Sequence, residues 1–252
     1  MIYLTGDTHA DFSRRFSTKQ FPEQKNMTKD DYLIICGDFG GIWQLAMESK
    51  NERHWLNWFE ERPYTLLFVD GNHENFDRLS EYPVMKWKGG KVHQIRPHIY
   101  HLMRGQVFEI DGKKIFTFGG ASSHDIQGGI LDVDDPNYHE KKRQLERDWI
   151  PYRVNHLSWW AEELASEEEM EEGRINLEKN DNKVDYIISH CCATSTQNKI
   201  GGTRFQPDRQ TDYFEELKET VDYKKWFFGH YHDNIEVSAK EVLIYTDIIR
   251  IA

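Results

Sequence analysis

Apolar residues gather along this chain in short uninterrupted runs, and each run is closed by a turn residue and a polar side chain. Met1-Ile2-Tyr3-Leu4 leads into Gly6-Asp7-Thr8-His9. Tyr32-Leu33-Ile34-Ile35-Cys36 leads into Gly37-Asp38, and Thr65-Leu66-Leu67-Phe68-Val69 into Gly71-Asn72-His73-Glu74. Brief apolar runs bounded by such residues read as buried strands. Asp7, Asp38 and Asn72 follow one another at intervals of roughly 30 residues, about one βαβ unit. Successive parallel strands would deliver these groups to one carboxyl edge, where open α/β sheets bind ligands. Two later strands end alike: Tyr186-Ile187-Ile188-Ser189 delivers His190, and Trp226-Phe227-Phe228 delivers Gly229-His230-Tyr231-His232. Val242-Leu243-Ile244-Tyr245 reads as a further strand.

Between the strands the period changes. Residues 10–30 predict a short helix and a loop interrupted by Pro22. Residues 43–62 predict a helix, with Trp55, Trp58 and Phe59 on one face and Pro63 closing it. Phe76, Leu79 and Tyr82 share a helical face before Pro83. Asp111-Gly112 between Val107–Ile110 and Lys114–Phe118 is a hairpin signal, and the adjacent antiparallel strands suggest a second sheet. A polar, partly helical insertion follows, at about 121–183. Within it Leu157, Trp160, Ala161 and Leu164 predict a helix, and Ser166 with Glu169 forms a capping box for the next one. The acidic run 167–172 reads as a solvated helix face. Residues 195–211 read as a polar, glycine-containing loop able to act as a lid. The expectation is one α/β domain over residues 1–252.

Composition narrows the function. The 252 residues are 38% hydrophobic and 13% aromatic, enough for a substantial core and too much for disorder. A net charge of −11 argues against salt-driven binding to nucleic acid or anionic membrane, so nucleic acid is an unlikely partner. No run approaches the length of a membrane span, and no charged-plus-apolar leader precedes the first strand. The three cysteines, Cys36, Cys191 and Cys192, make no disulfide framework and read as buried thiols in a reducing cytoplasm.

The strand-ending groups carry the chemistry: Asp7, His9, Asp38, Asn72, His73, His190, His230 and His232. In an extended segment residues i and i+2 point the same way, so Asp7 with His9, and His230 with His232, should face one site. Carboxylate, carboxamide and imidazole together suit Mn²⁺, Fe²⁺ or Zn²⁺. Without His73 the set is still too large for one four-coordinate ion, whereas two ions about 3.5–4 Å apart would use it all.

The order Asp-x-His, Gly-Asp, Gly-Asn-His-Glu, His, Gly-His-x-His, spread over residues 6–232, resembles the calcineurin-like metallophosphoesterases. The resemblance implies an αββα sandwich of two mixed sheets and two divalent ions, manganese being expected with iron or zinc as alternatives. It implies that Asp7, His9, Asp38 and His232 hold the first metal, and that Asp38 bridges to a second completed by Asn72, His190 and His230. His73 then matches the catalytic histidine, protonating the leaving alkoxide while the metals supply hydroxide and bind a phosphoester.

One departure is informative. Protein phosphatases of this superfamily extend Gly-Asp with an Asp-Arg-Gly whose arginine grips phosphate; this chain reads Gly37-Asp38-Phe39-Gly40-Gly41. Arg104, Arg204 and Arg209 are the candidate substitutes. The remaining histidines, at positions 54, 93, 98, 101, 124, 139 and 156, read as surface or core groups, His124 being the one whose loop is placed to reach the cleft. The leading reading is a metal-dependent phosphoester hydrolase, acting on small substrates or phosphoproteins. Its rivals are a phosphodiesterase or nuclease of the same fold, and a non-catalytic scaffold.

Overall fold

The computed structural model describes residues 1–252. The strands are β1 (Ile2–Thr5), β2 (Tyr32–Cys36), β3 (Thr65–Val69), β4 (Val84–Trp87), β5 (Gly90–Arg96), β6 (Ile99–Leu102), β7 (Gln106–Ile110) and β8 (Lys113–Phe118). They continue with β9 (Ile130–Leu131), β10 (Arg153–Val154), β11 (Lys183–Ser189), β12 (Asp222–Phe228), β13 (Ile235–Glu236), β14 (Glu241–Leu243) and β15 (Ile249–Arg250). The helices are α1 (Phe12–Arg15), α2 (Lys50–Glu60), α3 (Phe76–Leu79), α4 (Tyr138–Arg147), α5 (Glu167–Glu178), α6 (Thr194–Gly201) and α7 (Arg209–Thr220).

Two mixed sheets result. The first has the order β15-β1-β2-β3-β6-β5-β4, and the second β13-β14-β12-β11-β8-β7. β1, β2, β3 and β6 are parallel, as are β8, β11, β12 and β14. Antiparallel strands close the edges. The strand period of two divides the core into layers. Ile34 and Cys36 pack inward with Leu67 and Val69 against Ile188 and Phe227 of the second sheet. Leu33, Ile35 and Phe68 face the other way, onto Leu56 and Phe59 of α2. On the far side Ile187, Trp226 and Phe228 meet Met170 and Leu177 of α5 and Phe214 and Leu217 of α7. Strands covered on both faces are apolar throughout, which is why they were legible as runs. The β7–β8 hairpin turns at Asp111 and Gly112, both left-handed at φ 51° and 67°, as a type I′ turn requires.

Several local expectations change. The helix expected over 43–62 begins only at Lys50. Ser49 and Glu52 form a capping box, and the same Glu52 carboxylate accepts from the Trp43 and Gln44 amides at 2.7 and 2.8 Å. That carboxylate holds 43–44 as a loop across the helix start. The helix expected around 157–164 is absent. Arg153–Val154 pairs with Ile130–Leu131, and a single 3₁₀ turn spans Ala161–Glu163. Trp160 is buried with its indole donating to Asp77 at 2.7 Å, whereas Leu157 is exposed, so the apparent apolar face is not one face. The loop expected over 195–211 contains α6, ended by Gly202 at φ 58°. The Ser166–Glu169 capping box is present. The carboxylates of the acidic run stay exposed on the helix face, and two of them make ion pairs from it, Glu169 with Arg104 at 3.2 Å and Glu172 with Lys91 at 2.5 Å. No helix is long and apolar enough to cross a membrane.

Arg104 is engaged elsewhere and does not grip phosphate. Its Nε and Nη2 donate to the Asp70 carboxylate at 2.9 and 2.5 Å, and Nη2 also reaches the Glu162 carbonyl at 2.7 Å. His101 Nε2 donates to the other Asp70 oxygen at 2.9 Å. This buried network ties the end of β3 to the segment between β8 and β11. Removing one partner of a buried pair leaves the other charge uncompensated, at roughly 3–5 kcal/mol. Arg104→Met should therefore lower the urea-unfolding free energy by about that amount; a loss below about 1 kcal/mol would show that the network is not structural.

Candidate metal centre

Every candidate side chain lies just beyond the carboxyl end of a parallel strand. β1, β2 and β3 present Asp7, Asp38 and Asn72 from the first sheet; β11 and β12 present His190 and His230 from the second. The two edges face each other across the sandwich, so groups far apart in sequence meet. Ligand atoms of Asp7, His9, Asp38 and His232 all fall within 4.8 Å of one another. His232 Nε2 is 3.1 Å from Asp7 Oδ2, and His9 Nε2 is 3.6 Å from Asp38 Oδ2. On the other side of Asp38, His190 Nε2 lies 3.5 Å from Oδ1 and 3.2 Å from Asn72 Oδ1. The His230 ring sits 4.9 Å from that of His190. Asp38 thus stands between two groups of ligand-competent atoms.

The route to this convergence differs from the extended one expected. His9, Asp38, His230 and His232 all have positive φ, at 42°, 47°, 70° and 52°. The left-handed turn at His9 brings its ring back over Asp7. The turns at 230 and 232 send their rings apart, His230 toward His190 and His232 toward His9. Non-glycine residues in this region cost of order 1–3 kcal/mol each and collect at functional sites.

The glycines before these residues are steric requirements. A Cβ on Gly71 would lie 2.0 Å from Asp38 Oδ1, one on Gly229 2.1 Å from Asp7 Oδ1, and one on Gly37 2.0 Å from His190 Nδ1. Their absence lets backbone amides reach the carboxylates: His73 N donates to Asp38 at 2.8 Å, and His230 N to Asp7 at 2.9 Å.

The electrostatics fit cation binding. Asp7 and Asp38 are buried, and both form ion pairs with imidazoles only. Burial opposes ionisation of Asp38, but His190 and the other rings outweigh it and hold the carboxyl well below the usual range. Burial likewise pulls His190 down, and Asp38 with Asp7 overcomes it, raising the imidazole to about 10. The hydrogen bond from His232 to Asp7 raises His232, while burial lowers His9 and His230. Protons on His190 and His232 balance the two carboxylates. A divalent cation offers the same balance and leaves the rings neutral for ligation. The ring orientation agrees: His190 Nδ1 donates to the Cys36 carbonyl at 2.8 Å, so Nε2 is the nitrogen that faces the site and that a cation would deprotonate. Asn72 Nδ2 donates to Ser123 Oγ at 3.2 Å, which turns Oδ1 inward.

His73 lies beside this cluster, its ring 5.2 Å from His9 and 6.0 Å from Trp43. Burial lowers its pKa, opposed by Asp38 and helped by Arg153. Glu74 is buried; one carboxylate oxygen accepts from Phe39 N at 2.7 Å, and burial, followed by Asp38, pushes its pKa well up. It braces the backbone after Asp38 and does not touch His73's ring.

Sequence reasoning missed the contribution of the segment between β8 and β11. Glu163 accepts from Ser123 N at 2.9 Å and Oγ at 2.6 Å, so it orients Asn72 through Ser123. Arg153 extends to 3.4 Å from His73 Nε2 and is clamped by Asp125 at 2.8 and 2.5 Å. Neither residue lies in a motif, and Glu163 sits on the polar side of the 157–164 segment expected to be helical. The other seven histidines divide: His93 and His101 are core groups, His98 and His156 pair with Glu60 and Asp77, and His54 and His139 lie on helices away from the cluster. His124 reaches the cleft, its ring 4.4 Å from that of His230. The cysteines are free and buried, and burial raises all three thiols, which makes them poor nucleophiles.

Gly71→Ala should push the Asp38 carboxylate aside and weaken Mn²⁺ binding at least tenfold with far-UV dichroism unchanged. An unaltered calorimetric Mn²⁺ affinity would show that the carboxylate position does not control the cluster.

Comparison with known proteins gives a consistent picture. The family model for calcineurin-like phosphoesterase matches residues 1–234. Lariat debranching enzyme A of Xenopus laevis is 27% identical over 140 residues, 51% of this chain and 25% of its own. The lariat debranching enzyme of Drosophila pseudoobscura pseudoobscura is 25% identical over 264 residues, 92% of this chain and 42% of its own. The human lariat debranching enzyme is 26% identical over 141 residues, 51% and 24% respectively. The chain thus spans less than half the length of these relatives. With the match running from β1 past His232, this chain belongs to the calcineurin-like phosphoesterase family.

Proposed function

We propose that the chain hydrolyses phosphoesters, phosphodiesters among them, at a dinuclear centre. Asp7, His9, Asp38 and His232 would hold one ion; Asp38, Asn72, His190 and His230 would hold the other, with manganese the first candidate and iron or zinc next. The observation that carries this reading is the position of Asp38, buried between two sets of ligand atoms. Two such cations supply an activated water near neutral pH and neutralise charge on phosphorus.

The chain's own residues supply the rest. His73 is the proposed general acid, standing outside the ligand set with its ring beside that of His9. Arg153, extended beside it and only 15% exposed, is the proposed phosphate grip in place of the Asp-Arg-Gly arginine. The Asp125 clamp restricts its fork before substrate arrives, so less entropy is lost on binding. Glu163 and Ser123 hold Asn72 in its ligating rotamer. The full set of ligand-competent side chains favours an enzyme over a scaffold.

The substrate is the finer question. The relatives are named as lariat debranching enzymes, and this puts the expectation against nucleic acid in doubt. A charge of −11 still disfavours long duplexes, so short or branched nucleotide phosphodiesters suit both facts. The free, buried cysteines suit a reducing compartment such as the cytoplasm.

The Mn²⁺-loaded chain should hydrolyse bis(p-nitrophenyl) phosphate, and EDTA should abolish the activity. Asp38→Asn should lose at least one equivalent of metal along with turnover. Full metal content and activity in that variant would remove Asp38 as the bridge.

His73→Ala should keep both metals and lose roughly 10²–10⁴-fold in rate on alkyl phosphoesters, but far less on activated aryl esters, which need little proton assistance. Arg153→Ala should instead raise KM for both. Equal losses for both esters in His73→Ala would exclude the acid role.

A further inference from the structure

Next to the second proposed metal position lies a cavity of about 480 Å³ that the reaction chemistry does not use. It is within the size range of small-ligand pockets. Four rings form a continuous wall from its floor to the metal cluster. Tyr231 meets Phe205 at 4.9 Å, Phe205 meets His124 at 4.7 Å, and His124 meets His230 at 4.4 Å between centroids. A group bound against Phe205 and His124 would therefore be joined to a phosphate at the metals by a short linker.

Gln197 also lines this cavity and is only 2% exposed. Its Oε1 accepts from the Tyr231 hydroxyl at 3.0 Å, while its Nε2 has no hydrogen-bond partner. A buried, unpaired amide donor is costly unless a ligand supplies the acceptor. Arg204 adds a cation on the exposed side, whereas the Asp208 carboxylate is occupied by the Gln210 and Thr211 amides at 2.8 and 2.9 Å. Exposed aromatic ring faces, an orphan donor and a guanidinium together select a planar, acceptor-bearing heterocycle. A plain alkyl chain would use none of the three, and a phenyl ring would leave Gln197 unpaired.

We propose that this cavity is a nucleobase subsite, with the base stacked on Phe205 and His124 and an acceptor of its ring paired with Gln197. The proposal deepens the preceding reading and rests on it for the position of the phosphate. It gives Arg204 and Phe205, which follow α6, a role in recognising the base, while Arg153 serves the phosphate.

The test is equilibrium binding of adenosine 5′-monophosphate and ribose 5-phosphate to the full chain in Mn²⁺, read by calorimetry. These ligands share the phosphate and differ in the base. The nucleotide should bind roughly tenfold more tightly, the order of effect that one aromatic stack provides. Phe205→Ala and His124→Ala should each shrink that ratio toward one without changing the ribose 5-phosphate affinity. Gln197→Leu, which keeps the stack, should reduce it partly. Equal affinities in the unsubstituted chain, or a ratio that survives both Phe205→Ala and His124→Ala, would overturn the subsite. A second arm compares hydrolysis of the p-nitrophenyl ester of thymidine 5′-phosphate with methyl p-nitrophenyl phosphate, which has the same leaving group. Base-selective binding with neither ester cleaved would keep the subsite and sink the phosphoesterase reading. Cleavage of both esters at equal kcat/KM, with no base-selective binding, would do the reverse.

Discussion

Two carboxylates buried side by side impose the strongest constraint on this molecule. Asp7 and Asp38 are taken out of water at the junction of two sheets, where an unpaired anion costs several kcal/mol. No lysine or arginine forms an ion pair with either of them. Their compensation comes from imidazoles and from backbone amides donated by His73 and His230. Such an arrangement is a poor design for stability alone, since apolar residues would fill the space at less cost. It becomes intelligible when cations are the intended counter-charge, and it explains why so many histidines crowd one edge.

Holding those charges together requires backbone that an isolated loop would not adopt. Four of the proposed ligands are in the left-handed region, and three glycines leave no room for a Cβ beside the carboxylates or His190. The strain is borne by the sheets. β1, β2 and β3, paired in parallel register and covered on both faces, fix where each loop starts. The loops then have few residues in which to relax. Rigidity of the scaffold and strain at the site are two aspects of one arrangement.

The segment between β8 and β11 completes the centre from outside. Its Ser123 and Glu163 turn Asn72 inward, its Arg153 stands over His73, and its His124 joins the aromatic wall of the neighbouring cavity. The strand ends provide the metal-competent set. This segment, with α6 and the residues after it, shapes what surrounds that set, and selectivity among phosphoesters is expected to reside there.

Legibility in the sequence followed burial. Strands covered on both faces are apolar throughout and end where a glycine admits a functional side chain, so their order, their parallel run and the groups they deliver could be read from the chain alone. The β7–β8 turn and the Ser166 cap were equally readable, because Asp-Gly and Ser-x-x-Glu act over three or four residues. Tertiary structure decided what depends on distant partners. Glu52 held residues 43–44 out of α2, and Asp77 drew Trp160 inward where a helix face had been expected. Arg104 was claimed by Asp70, while Asp125 held Arg153 where it reaches His73. A hydrophobic run records its own environment at every position. A single arginine or glutamate carries no such record, and its role depends on which carboxylate or amide the folded chain brings within about 3 Å.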